Sequence, residues 1–135
     1  MADNKIVVEV LTPEGEVFSG ELDQVSTRTS VGDIGILARH APMVARLVPA
    51  ELRLHDGGNV ERYAQGEGWL EVFANRARVL VAEVIAPDDL DASELKDRLG
   101  QAEQRIEEAE EGSVEREAAE RDKTRAEAFI EIAGG

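Results

Sequence analysis

Apolar and polar residues alternate along the first two thirds of the chain with the period of two that extended strands require. Ile6, Val8 and Val10 share one face of a first segment, and Thr12-Pro13-Glu14-Gly15 then reads as a turn. Leu52 and Leu54 alternate with Glu51, Arg53 and His55. That run ends in Asp56-Gly57-Gly58-Asn59, whose glycines supply the positive φ of a tight hairpin. The same pattern predicts strands over 25–29, 43–48, 60–65, 69–73 and 76–85. Their close spacing predicts a sandwich or flattened barrel, not a parallel sheet with crossover helices.

At Pro87-Asp88-Asp89 the period changes to about three and a half. Ala92, Leu95, Leu99, Ala102, Ile106 and Ala109 recur at alternating steps of three and four, which is one stripe of a helix. Asp91 is its N-cap, and Glu94 three residues on gives a capping-box pattern. Gly112 offers a left-handed stop and Ser113 a fresh cap, so a second helix is predicted over 114–132, antiparallel to the first. Gly100 softens the first helix by roughly 1 kcal/mol relative to Ala. For the second helix two faces compete. One stripe reads Val114, Ala118, Arg121, Arg125, Ala128 and Ile132; the other presents Ala119, Ala126, Phe129 and Ile130 and leaves the arginines in water. Either way the hairpin interior is rich in alanine and docks weakly, because each Ala buries little area. The expected fold is therefore α+β in two domains: an antiparallel β-sandwich over 1–86 and an antiparallel two-helix hairpin over 87–135.

Charge sharpens this division. Residues 1–85 hold eight Lys and Arg against thirteen Asp and Glu, whereas residues 86–135 hold seven against sixteen, within a total net charge of −14 over 135 residues. So acidic a chain is not built to bind phosphate backbones, and no nucleic-acid partner is expected. Without cysteine it has no disulfide and no thiolate nucleophile, and only His40 and His55 carry imidazole. No cofactor or metal is expected. Ser19, Ser26 and Ser30 lack a His-Asp pattern, and the carboxylates are spread as surface charge, so an enzyme is the least favoured class. The start, Met1-Ala2-Asp3-Asn4-Lys5, lacks the order of a secretory signal, and no apolar run reaches membrane-spanning length. The expectation is a soluble intracellular protein with no direct membrane insertion. An acidic β-sandwich module that binds other proteins fits these limits, and Arg116, Arg121, Lys123 and Arg125 form a local basic segment suited to an acidic partner.

The segment Val31-Gly32-Asp33-Ile34-Gly35-Ile36-Leu37-Ala38-Arg39-His40-Ala41-Pro42 resembles the Gly-x-x-Gly-x-x-x-x-His-Ala-Pro signature of the epsilon-subunit family of F-type ATP synthases. Gly66-Glu67-Gly68-Trp69-Leu70-Glu71-Val72, Arg78-Val79-Leu80-Val81-Ala82 and Lys123-Thr124-Arg125-Ala126-Glu127-Ala128 look like further segments of that family, so the resemblance covers nearly the whole chain. It implies a non-catalytic subunit of the central stalk. The sandwich would bind the gamma subunit and the ring of c subunits, and the hairpin could rise along gamma toward the alpha and beta subunits and restrain ATP hydrolysis. The complex would hold it at the cytoplasmic face of a bacterial plasma membrane, or less readily at a plastid thylakoid.

Residue by residue, the resemblance sets Asp33, with Ser30, Val31, Gly32 and His40, at the c-ring interface. It makes Arg116, Arg121, Lys123 and Arg125 the inhibitory face of the second helix. His40 reads as a structural or contact residue, since no partner set for acid-base work surrounds it, and His55 reads as solvated. Some members of the family bind ATP through a Leu/Ile-Asp-x-x-Arg-Ala motif. Here Leu90-Asp91-Ala92-Ser93-Glu94-Leu95 stands in its place, with Glu94 where the motif has Arg. A carboxylate there repels phosphate, so no useful ATP affinity is expected, and Asp91 is left as a helix cap.

Overall fold

The computed structural model of the chain describes residues 4–134. Ten strands come first: β1 (Ile6–Thr12), β2 (Gly15–Leu22), β3 (Gln24–Thr29), β4 (Gly32–Leu37), β5 (Met43–Leu47), β6 (Ala50–Asp56), β7 (Asn59–Gln65), β8 (Gly68–Phe73), β9 (Arg76–Val81) and β10 (Val84–Ile85). A 3-10 turn at Pro87–Asp89 leads to the helices α1 (Ala92–Glu108) and α2 (Val114–Gly134). The strands form one sheet in the order β10-β7-β6-β3-β5-β8-β9-β1-β2, with β4 hung on β3, and this sheet folds over itself into a nearly closed sandwich. Two compact units divide between Ala86 and Pro87.

Alternation places the sandwich core as read from the sequence. Ile6, Val8 and Val10 of β1, Leu52 and Leu54 of β6, Leu70 and Val72 of β8 and Ala77 and Val79 of β9 are all buried in one cluster. Each fully buried Val or Leu contributes roughly 1.5–3 kcal/mol. The β6–β7 hairpin closes on Gly57 (φ 58°) and Gly58 (φ 90°), with Asp56 opposite Asn59, which is the two-residue turn with positive φ at both central positions.

Several features differ from the sequence-based expectation. β2 and β4 are strands of their own. Strand 76–85 breaks at Ala82-Glu83, where the chain leaves β9 and its last two residues pair with β7 as β10. The pairing of β1 with β9 is parallel, because the whole intervening chain is available as the long connection a parallel neighbour needs.

In the helical unit, Asp91 caps α1 by accepting hydrogen bonds from the amides of Ser93 (2.9 Å) and Glu94 (3.2 Å). Gly112 adopts φ 79° in the connection, and Ser113 Oγ accepts from the Arg116 amide at 3.1 Å, capping α2. Of the two competing faces of α2, the structure buries Ala119, Ala126 and Phe129. The stripe led by Val114 is not the seam: Val114 is 75% exposed and Arg121 is exposed. An aromatic ring outweighs the small side chains of the alternative stripe, and that rotation keeps the arginines hydrated.

Candidate functional site

Strands β3 and β4 meet in a tight hairpin with Ser30-Val31 at its tip, and Thr29 opposite Gly32. Gly32 has φ 135°, a conformation few side chains adopt. Thr29 stiffens the turn, since its Oγ1 donates to the Gly32 carbonyl (2.9 Å) and accepts from the Val31 amide (3.2 Å). The Ser30 amide donates to the Arg46 carbonyl (2.9 Å), which fixes the tip against β5. Val31 is 96% exposed, a large apolar side chain held out on a rigid turn. Asp33 is exposed but not alone, because the register sets it opposite Arg28 and their side chains pair at 2.8 Å.

His40 is not part of this tip. It follows the far end of β4, whose six residues span roughly 20 Å. Its Nδ1 lies 2.7 Å from the Ala41 carbonyl, and it is half-buried. The residues around it are held by Asn75, which sequence reasoning passed over. Asn75 Oδ1 accepts from the Arg39 amide (2.8 Å) and its Nδ2 donates to the Lys5 carbonyl (2.9 Å). Nearby, Lys5 pairs with Asp56 and Asp23. Both carboxylates raise its pKa, while the Gly57 amide and then Lys5 lower that of Asp23. His55 is not solvated as expected: it is half-buried, with Nε2 2.9 Å from Ser26 Oγ, because β3 lies beside β6.

The outer face of β5, β8, β9 and β1 carries a second feature that the sequence reading did not single out. With Leu70 and Val72 turned into the core, Trp69, Glu71 and Phe73 must point outward. Trp69 lies between Arg46 on β5 and Leu80 on β9, and Leu11 on β1 continues the row. The Arg46 guanidinium sits 5.4 Å from the centre of the Trp69 ring. Beside this row Arg78 joins Glu9 (3.4 Å) and Glu71 (3.8 Å), and Arg76 also reaches Glu9. Val44 at 67% exposure and Trp69 at 48% leave a large apolar surface in water, ordered by surrounding ion pairs.

On α2 the four basic residues do not form one patch. At about 100° per residue, Arg116 and Lys123 fall on one side of the helix and Arg121 and Arg125 about 170° away, flanking the buried stripe of Ala119, Ala126 and Phe129. Acids of the hairpin already engage two of them: Arg116 meets Glu120 at 3.7 Å and Lys123 meets Glu103 at 3.8 Å, and Arg125 also has an interaction of its own. Such exposed pairs are each worth about 0–1 kcal/mol and yield readily to a better partner. Asp91, in the place of the nucleotide motif's acid, is occupied as the α1 cap, with Glu94 beside it. Among the described residues no helix is long and apolar enough to cross a membrane.

Comparison with known proteins covers both units. Residues 5–87 match the beta-sandwich domain of the ATP synthase delta/epsilon chain. The chain is 34% identical over 127 residues to the ATP synthase epsilon chain of Halalkalibacterium halodurans, covering 94% of this chain and 96% of that one. It is 38% identical over 129 residues to that of Persephonella marina, covering 94% and 95%. The fold is similar to a chain in the cryo-EM structure of the Euglena gracilis mitochondrial ATP synthase containing OSCP, F1 and the c-ring. The TM-score is 0.78 at 21% identity, covering 97% of this chain and 82% of that chain.

Proposed function

The chain belongs to the ATP synthase epsilon-chain family, and from that premise we propose that it is a non-catalytic element of the central stalk, coupling proton flow to ATP synthesis. The carrying observation is the rigid apolar row of Trp69, Leu80 and Leu11 on the outer face, with Val44 beside it and the exposed Val31 tip fastened to the same strand β5. We assign the row to gamma and the Ser30-Val31-Gly32-Asp33 turn to the c ring. A half-exposed Trp stacked by Arg is the kind of anchor that dominates protein interfaces. The turn offers a preset loop with one apolar and one acidic side chain for polar c-ring loops. His40 lies beyond the far end of β4, away from this turn, and is left out of the proposed c-ring contact. The complex would hold the chain peripherally at the cytoplasmic face of a bacterial plasma membrane.

Asp33→Arg tests the foot of the stalk. It places a guanidinium opposite Arg28, so it removes an ion pair and adds repulsion at an interface without touching the core. The expected result is a folded chain whose complex, reconstituted in membrane vesicles, shows reduced proton-driven ATP synthesis. Unchanged synthesis would take Asp33 out of the interface. Arg28→Gln separates the loss of the internal pair from the loss of the contact, and should have the smaller effect.

For the hairpin we propose restraint of ATP hydrolysis. Once α2 leaves α1, its stripe of Ala119, Ala126 and Phe129 is free to lie against gamma, with Arg116 and Lys123 on one shoulder and Arg121 and Arg125 on the other. Those shoulders meet acidic surface of the catalytic beta subunit and of alpha. Deleting the chain beyond Gly112, or converting all four cations to Ala, should raise hydrolysis by the assembled complex. Salt should mimic part of the effect, because exposed pairs are screened. Hydrolysis unchanged at every salt concentration would leave the hairpin a structural role. With Glu94 beside Asp91, itself occupied as the α1 cap, ATP does not control the switch, and micromolar ATP binding in a titration would overturn that statement.

A further inference from the structure

Two carboxylates and two guanidiniums form one connected network on the outer face of β5, β8, β9 and β1. The registers set Val44 opposite Glu71, Glu71 opposite Arg78, Arg78 opposite Glu9 and Glu9 opposite Ser19, so a single row crosses the strands. Arg78 reaches Glu9 at 3.4 Å and Glu71 at 3.8 Å, and Arg76 reaches the same Glu9 oxygen at 3.4 Å. Apolar residues border this row on both sides. Trp69, Leu80 and Leu11 run along one side, and Phe73 and Val7 lie on the other, with Arg76 between them.

Glu9 is the centre of the network. Its side chain is the least exposed of the four, at 20%, and both guanidiniums share it. Arg78 has little else to hold it: its Nε is buried without a hydrogen-bond partner. Its head is therefore placed by Glu9, by Glu71 and by the Phe73 ring, whose centre lies 5.7 Å away.

The network carries no net charge, in a chain whose total is −14. Each charged group already has its partner within the face, so a surface that docks on it need bring no charge. Docking also removes the water that screens these groups. A network that stays complete in a dry interface keeps its Coulomb attraction, whereas a charge left single there is strongly disfavoured.

We propose that Glu9 is a specificity-determining residue of this face. By neutralising Arg76 and Arg78 it selects a partner surface that is apolar and uncharged where it covers the row, and it disfavours a surface that brings a charge of its own. This rests on the reading of the face as the gamma contact, and it names the chemistry of the gamma surface that meets it.

The test is calorimetric titration of purified gamma with the full chain and its variants. Glu9→Gln keeps the shape and leaves a guanidinium in excess, and should weaken binding at least about fivefold. Arg76→Gln leaves a carboxylate in excess and should also weaken it. The double variant Glu9→Gln/Arg76→Gln keeps the balanced pair of Glu71 and Arg78, and should bind more tightly than Glu9→Gln alone. A role confined to contacts or to the fold would instead make the two losses add. Melting followed by circular dichroism should show all three chains folded, since the network is open to water in the free chain. Trp69→Glu is the control for the contact itself: unchanged binding there would overturn the gamma reading and this proposal together. Loss of binding by Trp69→Glu with less than a fivefold loss by Glu9→Gln would overturn this proposal alone, as would additive losses in the double variant. Tighter binding by Glu9→Gln would mean that gamma brings a carboxylate to the row, and would also overturn it.

Discussion

A Gly68→Ala chain is expected to be less stable than the native one by about 3 kcal/mol or more, at or beyond the usual range for overpacked cores. Gly68 lies between Leu47 of β5 and Val81 of β9. A Cβ at this position would stand 1.9 Å from the Leu80 carbonyl oxygen and 2.7 Å from the Val81 Cα. Both obstacles are backbone, so relief requires two paired strands to separate. Gly35→Ala is the matched control. There a Cβ would meet only the end of the Gln24 side chain, at 2.4 Å, and that side chain can swing away at a cost near 1 kcal/mol. Urea unfolding followed by circular dichroism reads both. A Gly68→Ala chain within about 0.5 kcal/mol of native, the range of ordinary surface changes, would contradict the close approach of β8 and β9.

Trp69→Glu is expected to weaken gamma binding by at least about thirtyfold, the equivalent of the roughly 2 kcal/mol that marks an interface anchor. The ring is half in water, so the fold should survive its loss. The substitution removes the apolar centre of the outer face, abolishes stacking with Arg46, and sets a carboxylate among Leu80 and Leu11. Val60→Glu, at an exposed position on β7 of the other layer, should change affinity by less than about twofold, as expected of a residue outside the interface. Equal effects of the two substitutions would place the gamma contact elsewhere.

Where one residue's backbone requirement decided the structure, the sequence was readable. Gly57-Gly58, Asp91, Gly112 and Ser113 each sit where a turn or cap needs them, and strict alternation revealed the core faces of β1 and β6. β2 was not readable, because it is an edge strand with mostly exposed positions whose alternation rests on Phe18 and Leu22 with a glycine between them. Nor was β4, whose glycines at 32 and 35 look like loop chemistry. Recognising Ser30-Val31 as a two-residue turn would have placed Arg28 opposite Asp33 by counting alone. The outward direction of Trp69 and Phe73 was also available, since Leu70 and Val72 had to face the core. By contrast, the contact of His55 with Ser26 and the parallel pairing of β1 with β9 depend on registers between distant segments that no local pattern encodes. For α2, two stripes of similar composition competed, and burial of the Phe129 ring decided between them.

As a proposed stalk subunit, the chain carries its grip on gamma in the sandwich alone. Its most direct test is co-expression of a tagged gamma subunit with either the full chain or residues 1–86, followed by affinity capture and size-exclusion chromatography. Both forms should elute with gamma as one-to-one complexes of similar affinity, with residues 1–86 folded by circular dichroism. A folded sandwich that does not accompany gamma while the full chain does would move the binding site to the helices. Failure of both folded forms to bind would contradict the stalk role itself.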